Sequence, residues 1–260
     1  MNILKIKFDK TFYLFLILII ITGMFKEFTF VFILIIGHEI GHAIAGILFK
    51  WKLVSITIYP YGGLTLFSKL ENSSINQEIL ILLSGPIFQI ITYLLLSIFY
   101  KYSYIKIYHL SILIFNLLPI LSLDGGRLLN LILNKFFTYL KSFYISIIVS
   151  ILTIIILLIY CIYYYYNFNI ILMSIFLIFK IINSLRNIRY CYNKFILERY
   201  LYDFKYHKRK ISQDIYSFYM ECNHYINFQD EKIYLEKYFK KWRKWVARKY
   251  RTTENAIKRW

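Results

Sequence analysis

Two histidines stand four residues apart in His38-Glu39-Ile40-Gly41-His42, with a glutamate beside the first. On a helix this spacing puts both imidazoles on one face, where they can reach a single metal ion. It also sets the glutamate to take a proton from a water activated by that ion. The surroundings give the pattern its weight. Phe28-Thr29-Phe30-Val31-Phe32-Ile33-Leu34-Ile35-Ile36 leads into it, and no charge follows until Lys50. In a bilayer such groups are retained where something binds them or where they do chemistry. The residue types and their spacing point to metal-dependent peptide hydrolysis within a membrane.

A third ligand follows from counting stranded acids. Glu27, Glu71 and Glu78 fall at the edges of apolar stretches, and only Glu39 and Asp124 lie well inside them. An acid at the centre of a membrane helix costs about 2.5–3.5 kcal/mol on insertion scales, so each calls for a partner or a function. Asp124 is thereby nominated as a ligand. Its other reading is a salt bridge to Arg127, which the intervening Gly125 and Gly126 weaken. Along ideal helix, His42 is about 12 Å from Lys50 and Asp124 about 16 Å from Lys135, so both can sit at similar depth. Two imidazoles and one carboxylate leave a fourth position for water, as catalytic zinc requires. His109, beside Lys106 at the start of its span, is an alternative ligand but belongs to the opposite side. Asn116 either bonds backbone freed by Pro119 or offers an amide to substrate backbone or an oxyanion.

The elements that must position these groups are membrane spans. Of 260 residues, 59% are hydrophobic, and only three prolines and nine glycines interrupt the apolar runs. The expected fold is an all-α polytopic membrane protein with about six transmembrane helices. The spans are read at 11–25, 28–49, 78–100, 107–134, 142–164 and 168–184. Residues 53–68 read instead as a short membrane-associated β-hairpin, rich in β-branched residues and turning at Pro60-Tyr61-Gly62-Gly63. Ser84-Gly85-Pro86 either kinks the third span or lets another helix approach closely. Pro119 with Gly125-Gly126 breaks the fourth in mid-membrane, a way to offer a polar group to a buried site.

The net charge is +18, unevenly placed: residues 142–179 carry no charged side chain, and the chain after Arg186 is dense in Lys and Arg. Lys50, Lys52, Lys69, Lys135, Lys141 and the tail fall on one side of the spans. The positive-inside rule then puts both termini in the cytoplasm. Two units are expected, a transmembrane metalloprotease domain at 1–185 and a basic cytosolic region at 186–260. Segments near 187–206, 212–224 and 230–250 predict a small helical tail that touches the lipid bilayer through its charge. Nucleic acid is not an expected partner, since no recognition motif accompanies the charge. Cys161, Cys191 and Cys222 are odd in number and widely spaced, which suggests neither disulfides nor a thiolate zinc site. Lys5, Lys7 and Lys10 precede an apolar run without a small-residue cleavage site, which reads as an uncleaved first span. Tyrosines at 100–108 and 163–166 suit an interfacial belt.

Taken in order, His38-Glu39-Ile40-Gly41-His42, Gly62-Gly63, Ser84-Gly85-Pro86, Asn116-Leu117-Leu118-Pro119 and Leu123-Asp124-Gly125-Gly126-Arg127 resemble the site-2 protease family of intramembrane zinc metalloproteases. The resemblance covers residues 28–135 and looks most like the branch of stage IV sporulation protein FB. It implies Zn²⁺ on His38, His42 and Asp124, catalysis by Glu39 and Asn116, and substrate contacts at Gly62, Gly63 and Gln89. It further implies a membrane-associated protein substrate, a pro-sigma factor, at a bacterial inner or mother-cell membrane. Inhibitory membrane partners would restrain the cleavage. The alternatives are a site-2 protease that cleaves anti-sigma factors or peptide remnants, and a non-catalytic membrane scaffold. Two departures stand out. Gln89 occupies a position where many members have Asn, and residues 200–260 show no β-α-β pattern like the nucleotide-sensing CBS domain of that branch, so nucleotide binding is not expected.

Overall fold

The computed structural model describes residues 6–59, 62–164, 168–226 and 229–241. Pro60-Tyr61 of the expected turn, residues 165–167 of the tyrosine-rich turn and the basic stretch 242–260 lie outside the described residues. Helix α1 (Lys10–Thr22) passes through Gly23, at φ +71°, into α2 (Phe25–Leu48). Then come α3 (Ile75–Phe99), α4 (Ser103–Leu117), α5 (Asp124–Asn134), α6 (Tyr139–Tyr164) and α7 (Phe168–Leu201). By length and composition, Phe25–Leu48, Ile75–Phe99 and Tyr139–Tyr163 are able to cross a membrane. Their outer faces carry bare apolar side chains such as Ile98, Phe99, Ile148 and Ile156, as lipid contact requires. The stretch read as one interrupted span at 107–134 is two helices, α4 and α5, separated at Pro119. The helix that holds the stretch read at 168–184, α7, runs on to Leu201.

The expected hairpin is present and carries a third strand. Strand β2 (Lys52–Tyr59) pairs antiparallel with β3 (Gly62–Ser68), opposing Ile58 to Gly63 and Ile56 to Thr65. The short strand β1 (Ile6–Phe8) adds to the other side of β2 in parallel. β2 is thus central and β3 is an edge of this sheet. The hairpin is aimed by the end of α2. Lys50 takes the left-handed conformation (φ 60°), and the amides of Lys50 and Trp51 return to the carbonyls of Ile47 and Gly46, both at 2.8 Å. This paired closure stops the helix and reverses the chain into β2. Gly46 then leaves room for the ring of Phe67, which would lie 2.3 Å from any Cβ there, so β3 lies flat along α2.

A column of serines fixes the broken helix. Ser142, Ser146 and Ser150 are wholly buried at four-residue spacing on α6. Ser150 accepts from the Leu121 amide at 2.9 Å, and Ser146 accepts from Asn130 Nδ2 at 3.1 Å. The first contact satisfies backbone exposed by Pro119, which apolar surroundings would otherwise leave unpaired. Ile120, Ile147, Ile154, Leu177 and Ile181 close over this link.

In the tail, helix is found over 187–201 and 231–241 as expected, and the helical expectation is corrected between them. Strands β4 (Lys208–Ser212) and β5 (Cys222–Ile226) pair in parallel, β6 (Gln229–Asp230) joins β5, and helix α8 follows at 231–241. Burial alternates along β5, a period of two that the helical reading of 212–224 overlooked. The parallel partner is ten or more residues away, beyond any local pattern. This unit packs on the helices: Ile75, Leu82 and Leu131 share a core with Phe195, Phe218, Ile226 and Leu235. One buried guanidinium fastens it. Arg199 donates to Asn72 Oδ1 at 2.8 Å, to Glu231 Oε1 at 3.0 Å and to the Cys222 and Tyr219 carbonyls at 2.7 Å each. Asn72 belongs to the connection between β3 and α3, so the tail is tied to the end of the hairpin.

Candidate metal centre and active site

His38, Glu39 and His42 all lie on α2 and are all buried. Helix α3 reaches them because α2 is notched. A Cβ on Gly37 would meet Thr92 Oγ1 at 2.2 Å, and one on Gly41 would meet the Ser84 carbonyl at 2.5 Å. The Ser84 hydroxyl closes this seam by donating to the Gly41 carbonyl at 2.9 Å. Gly85 is notched in return, with the His42 ring 2.4 Å from where its Cβ would be. Ser84 and Gly85 therefore let α2 and α3 approach closely, and α3 continues through Pro86.

Asp124 arrives on the first turn of α5. Gly125 and Gly126 let that turn sit against the end of α4, because side chains there would meet the Leu117 carbonyl at 2.2 Å and Ile120 at 2.1 Å. The carboxylate then lies between the two rings. Asp124 Oδ2 is 2.9 Å from His38 Nε2 and 3.2 Å from His42 Nε2, and the two Nε2 atoms are 3.0 Å apart. No ion pair joins Asp124 to Arg127 among the described residues, and Arg127 is exposed. Of the two readings of Asp124, the structure favours the cluster with the histidines.

Three ligand atoms, one from each of His38, His42 and Asp124, lie within 4.8 Å of one another and can hold one metal ion. The donor set fits zinc, which binds imidazole nitrogen and carboxylate oxygen and keeps a free position in catalytic sites. Nδ1 of His42 lies 2.8 Å from the Ile81 carbonyl, which leaves Nε2 to face the cluster.

Glu39 points away from α3, toward the hairpin. Its Oε2 accepts a 2.7 Å hydrogen bond from Thr65 Oγ1 on β3. Its side chain fills the space beside Gly63, where a Cβ would lie 2.2 Å from Glu39 Cγ. Thr65 was not singled out in the sequence, where a threonine in a β-branched run looks like ordinary strand composition. The other expected residues divide. Gly63 faces Glu39, and Gly62 begins β3 beside it. Asn116 sits half-buried in the last turn of α4, and no hydrogen bond joins it to His38, His42 or Asp124. Gln89, expected among substrate contacts, is wholly buried and accepts from His38 Nδ1 at 3.1 Å. Its amide is shared between His38 and His109. His109 is no ligand in this arrangement and instead meets Gln89.

Comparison with known proteins converges on one reading. The model of peptidase family M50 matches residues 27–106, which include the two histidines and Glu39. Stage IV sporulation protein FB of Bacillus subtilis is 27% identical over 207 residues, covering 76% of this chain and 72% of that protein. A zinc metalloprotease of Methanocaldococcus jannaschii is 31% identical over 157 residues, 54% of this chain and 45% of that protein. Among solved structures, a site-2 protease from Methanocaldococcus jannaschii is similar with a TM-score of 0.54 and 28% identity, over 68% of this chain and 89% of that one. In sequence and in fold, the chain is thus similar to zinc-dependent membrane metalloproteases of the site-2 protease type, with the peptidase family M50 match spanning both histidines and Glu39.

Proposed function

We propose that the chain hydrolyses peptide bonds of membrane-associated proteins in regulated intramembrane proteolysis, and that its substrate is a pro-sigma factor of sporulation. The convergence of His38, His42 and Asp124 beside a strand-held Glu39, with both histidines on a helix apolar enough to cross a membrane, carries this reading. His38, His42 and Asp124 would hold Zn²⁺. When bound, zinc polarises the peptide carbonyl and makes water a better nucleophile. Glu39 takes the proton of the attacking water as the C–O bond forms, then delivers it to the amide nitrogen as the C–N bond breaks.

A helical substrate hides its amides and must first be unwound. β3 is the edge of its sheet and already lies against Glu39, so an extended substrate can pair along it by main-chain hydrogen bonds. Gly62 and Gly63 would line that path, and the Asn116 amide would steady the developing oxyanion. Similarity over 207 residues to a sporulation protein supports the sigma-factor assignment. Both termini would lie in the cytoplasm, with about six spans and with partner membrane proteins restraining the enzyme.

The test is co-expression of the wild type and Glu39→Gln with candidate substrates, including pro-sigma factors and anti-sigma factors. A pro-sigma product that requires Glu39 is the expected result. Equal product from both forms would overturn the assignment of Glu39. A Glu39-dependent product from anti-sigma factors alone would replace the proposed substrate.

A further inference from the structure

We infer that Gln89 sets the metal-binding tautomer of His38, and that His109 on the next helix sets Gln89; this rests on the zinc reading above. The starting point is a fixed acceptor. The amide of Gln89 approaches the backbone carbonyl of His109 at 3.0 Å, and a carbonyl can only accept. The amide must therefore turn its NH₂ toward His109. A second amide hydrogen is directed at His109 Nδ1, 3.4 Å away. The ring of His109 is itself held, stacked on Tyr93 at 4.4 Å and 10°. Tyr93 lies one turn beyond Gln89 on α3, so two consecutive turns of α3 grip one residue of α4.

With its NH₂ group engaged, Gln89 can present only its oxygen to His38 Nδ1, 3.1 Å away. An amide oxygen cannot donate, so Nδ1 must carry the hydrogen of the neutral ring. The lone pair then falls on Nε2, the atom that faces His42 and Asp124. One backbone carbonyl on α4 thereby determines, through Gln89, which nitrogen of His38 is free for metal.

His42 reaches the same tautomer differently, through the Ile81 carbonyl at 2.8 Å. That anchor is backbone and no substitution removes it. The anchor of His38 is a side chain, wholly buried in an apolar helix where an unpaired amide would be costly. Gln89 and His109 are positioning residues: neither is a ligand, and both act on the metal through His38.

The test needs no substrate. Zn²⁺ affinity is measured by chelator competition on the full chain in detergent, for the wild type, Gln89→Leu and His38→Ala. Leucine keeps the bulk and removes the acceptor, and the expected result is a roughly 10- to 100-fold weaker Zn²⁺ affinity. Co²⁺ loading should give altered ligand-field absorption in Gln89→Leu. An affinity within twofold of wild type in Gln89→Leu, with metal lost in His38→Ala, overturns the inference and leaves the zinc site standing. Retention of metal in both variants overturns the inference and the zinc site together. Nitrogen NMR of ¹⁵N-histidine in the unmutated, zinc-loaded chain is independent of folding in any variant. His38 is expected protonated at Nδ1 and metal-bound at Nε2, and the reverse assignment refutes the role of Gln89.

Discussion

Thr65 on β3 donates its hydroxyl hydrogen to Oε2 of Glu39 on α2 at 2.7 Å, so the carboxylate proposed as general base is held by the strand that borders it. The same strand is the free edge of its sheet. In the proposed mechanism, seating the base and presenting the substrate are thus tasks of one element. Thr65→Val keeps the β-branched shape and removes the donor. Hydrogen bonds to charged groups contribute about 1.5–3 kcal/mol, so kcat should fall roughly 10- to 100-fold with KM and bound zinc little changed. Thr65→Ser should restore most of the rate.

Metal removal should separate binding from proton transfer. A chelator should abolish cleavage, and added Zn²⁺ should restore it. His38→Ala, His42→Ala and Asp124→Asn should each lose stoichiometric zinc in elemental analysis. Glu39→Gln should keep zinc and lose cleavage by at least about 100-fold, as expected for removal of a general base.

Gly85→Ala should damage the metal centre without touching a ligand. Its new methyl group would sit 2.4 Å from the His42 ring and 2.9 Å from His38 Nε2. The rings cannot yield without leaving the Ile81 and Gln89 acceptors. Zinc affinity is expected to drop by roughly tenfold or more, read by chelator competition.

Acid should loosen the tail. Burial pushes His224 below its ordinary value of 6.5, and its Nε2 accepts from the Tyr219 amide, which requires the neutral ring. Burial favours the neutral acid at Glu231, but the His224 hydrogen bond and Arg199 outweigh it and hold the carboxyl below its usual 4.5. The unfolded tail binds more protons than the folded one at either group, so stability rises with pH. The His224 contribution is complete above about pH 6.5 and fades as pH falls through its lowered folded value; that of Glu231 is complete above about 4.5 and fades below it. Protease nicking after α7 should therefore increase from pH 7.5 toward pH 5. Replacing His224 with Gln should flatten the upper part of that profile.

The cluster of His38, His42 and Asp124 was legible because its residues are costly where they stand. A carboxyl at Glu39 or Asp124 in an otherwise apolar stretch of sequence is conspicuous, and two histidines at helical spacing need no tertiary information to be paired. Gln89 and Thr65 carry no charge and fit their local elements, so only packing reveals that they face His38 and Glu39. His109 was noticed and set aside as a ligand, and its link to Gln89 depends on the approach of α4 to α3. The hairpin announced itself through β-branched residues and turn glycines. β1 did not, because three residues beside a lysine cluster show no periodicity and their partner is some fifty residues away. The tail sheet was lost for the same reason, since its strands are joined in parallel across the stretch between Ser212 and Cys222.

Arg199 spends one guanidinium on both Asn72, four residues beyond the hairpin, and Glu231, at the head of α8. Sharing a buried cation makes the two ends thermodynamically reciprocal. An event that pulls Asn72 away strips a partner from Arg199 and weakens the docking of α8. By the same linkage, a contact that draws α8 off must lower the cost of moving the connection that leads from β3 into α3. The tail and the connection from β3 into α3 are thus held by one buried side chain, and neither can leave without costing it a hydrogen-bond partner.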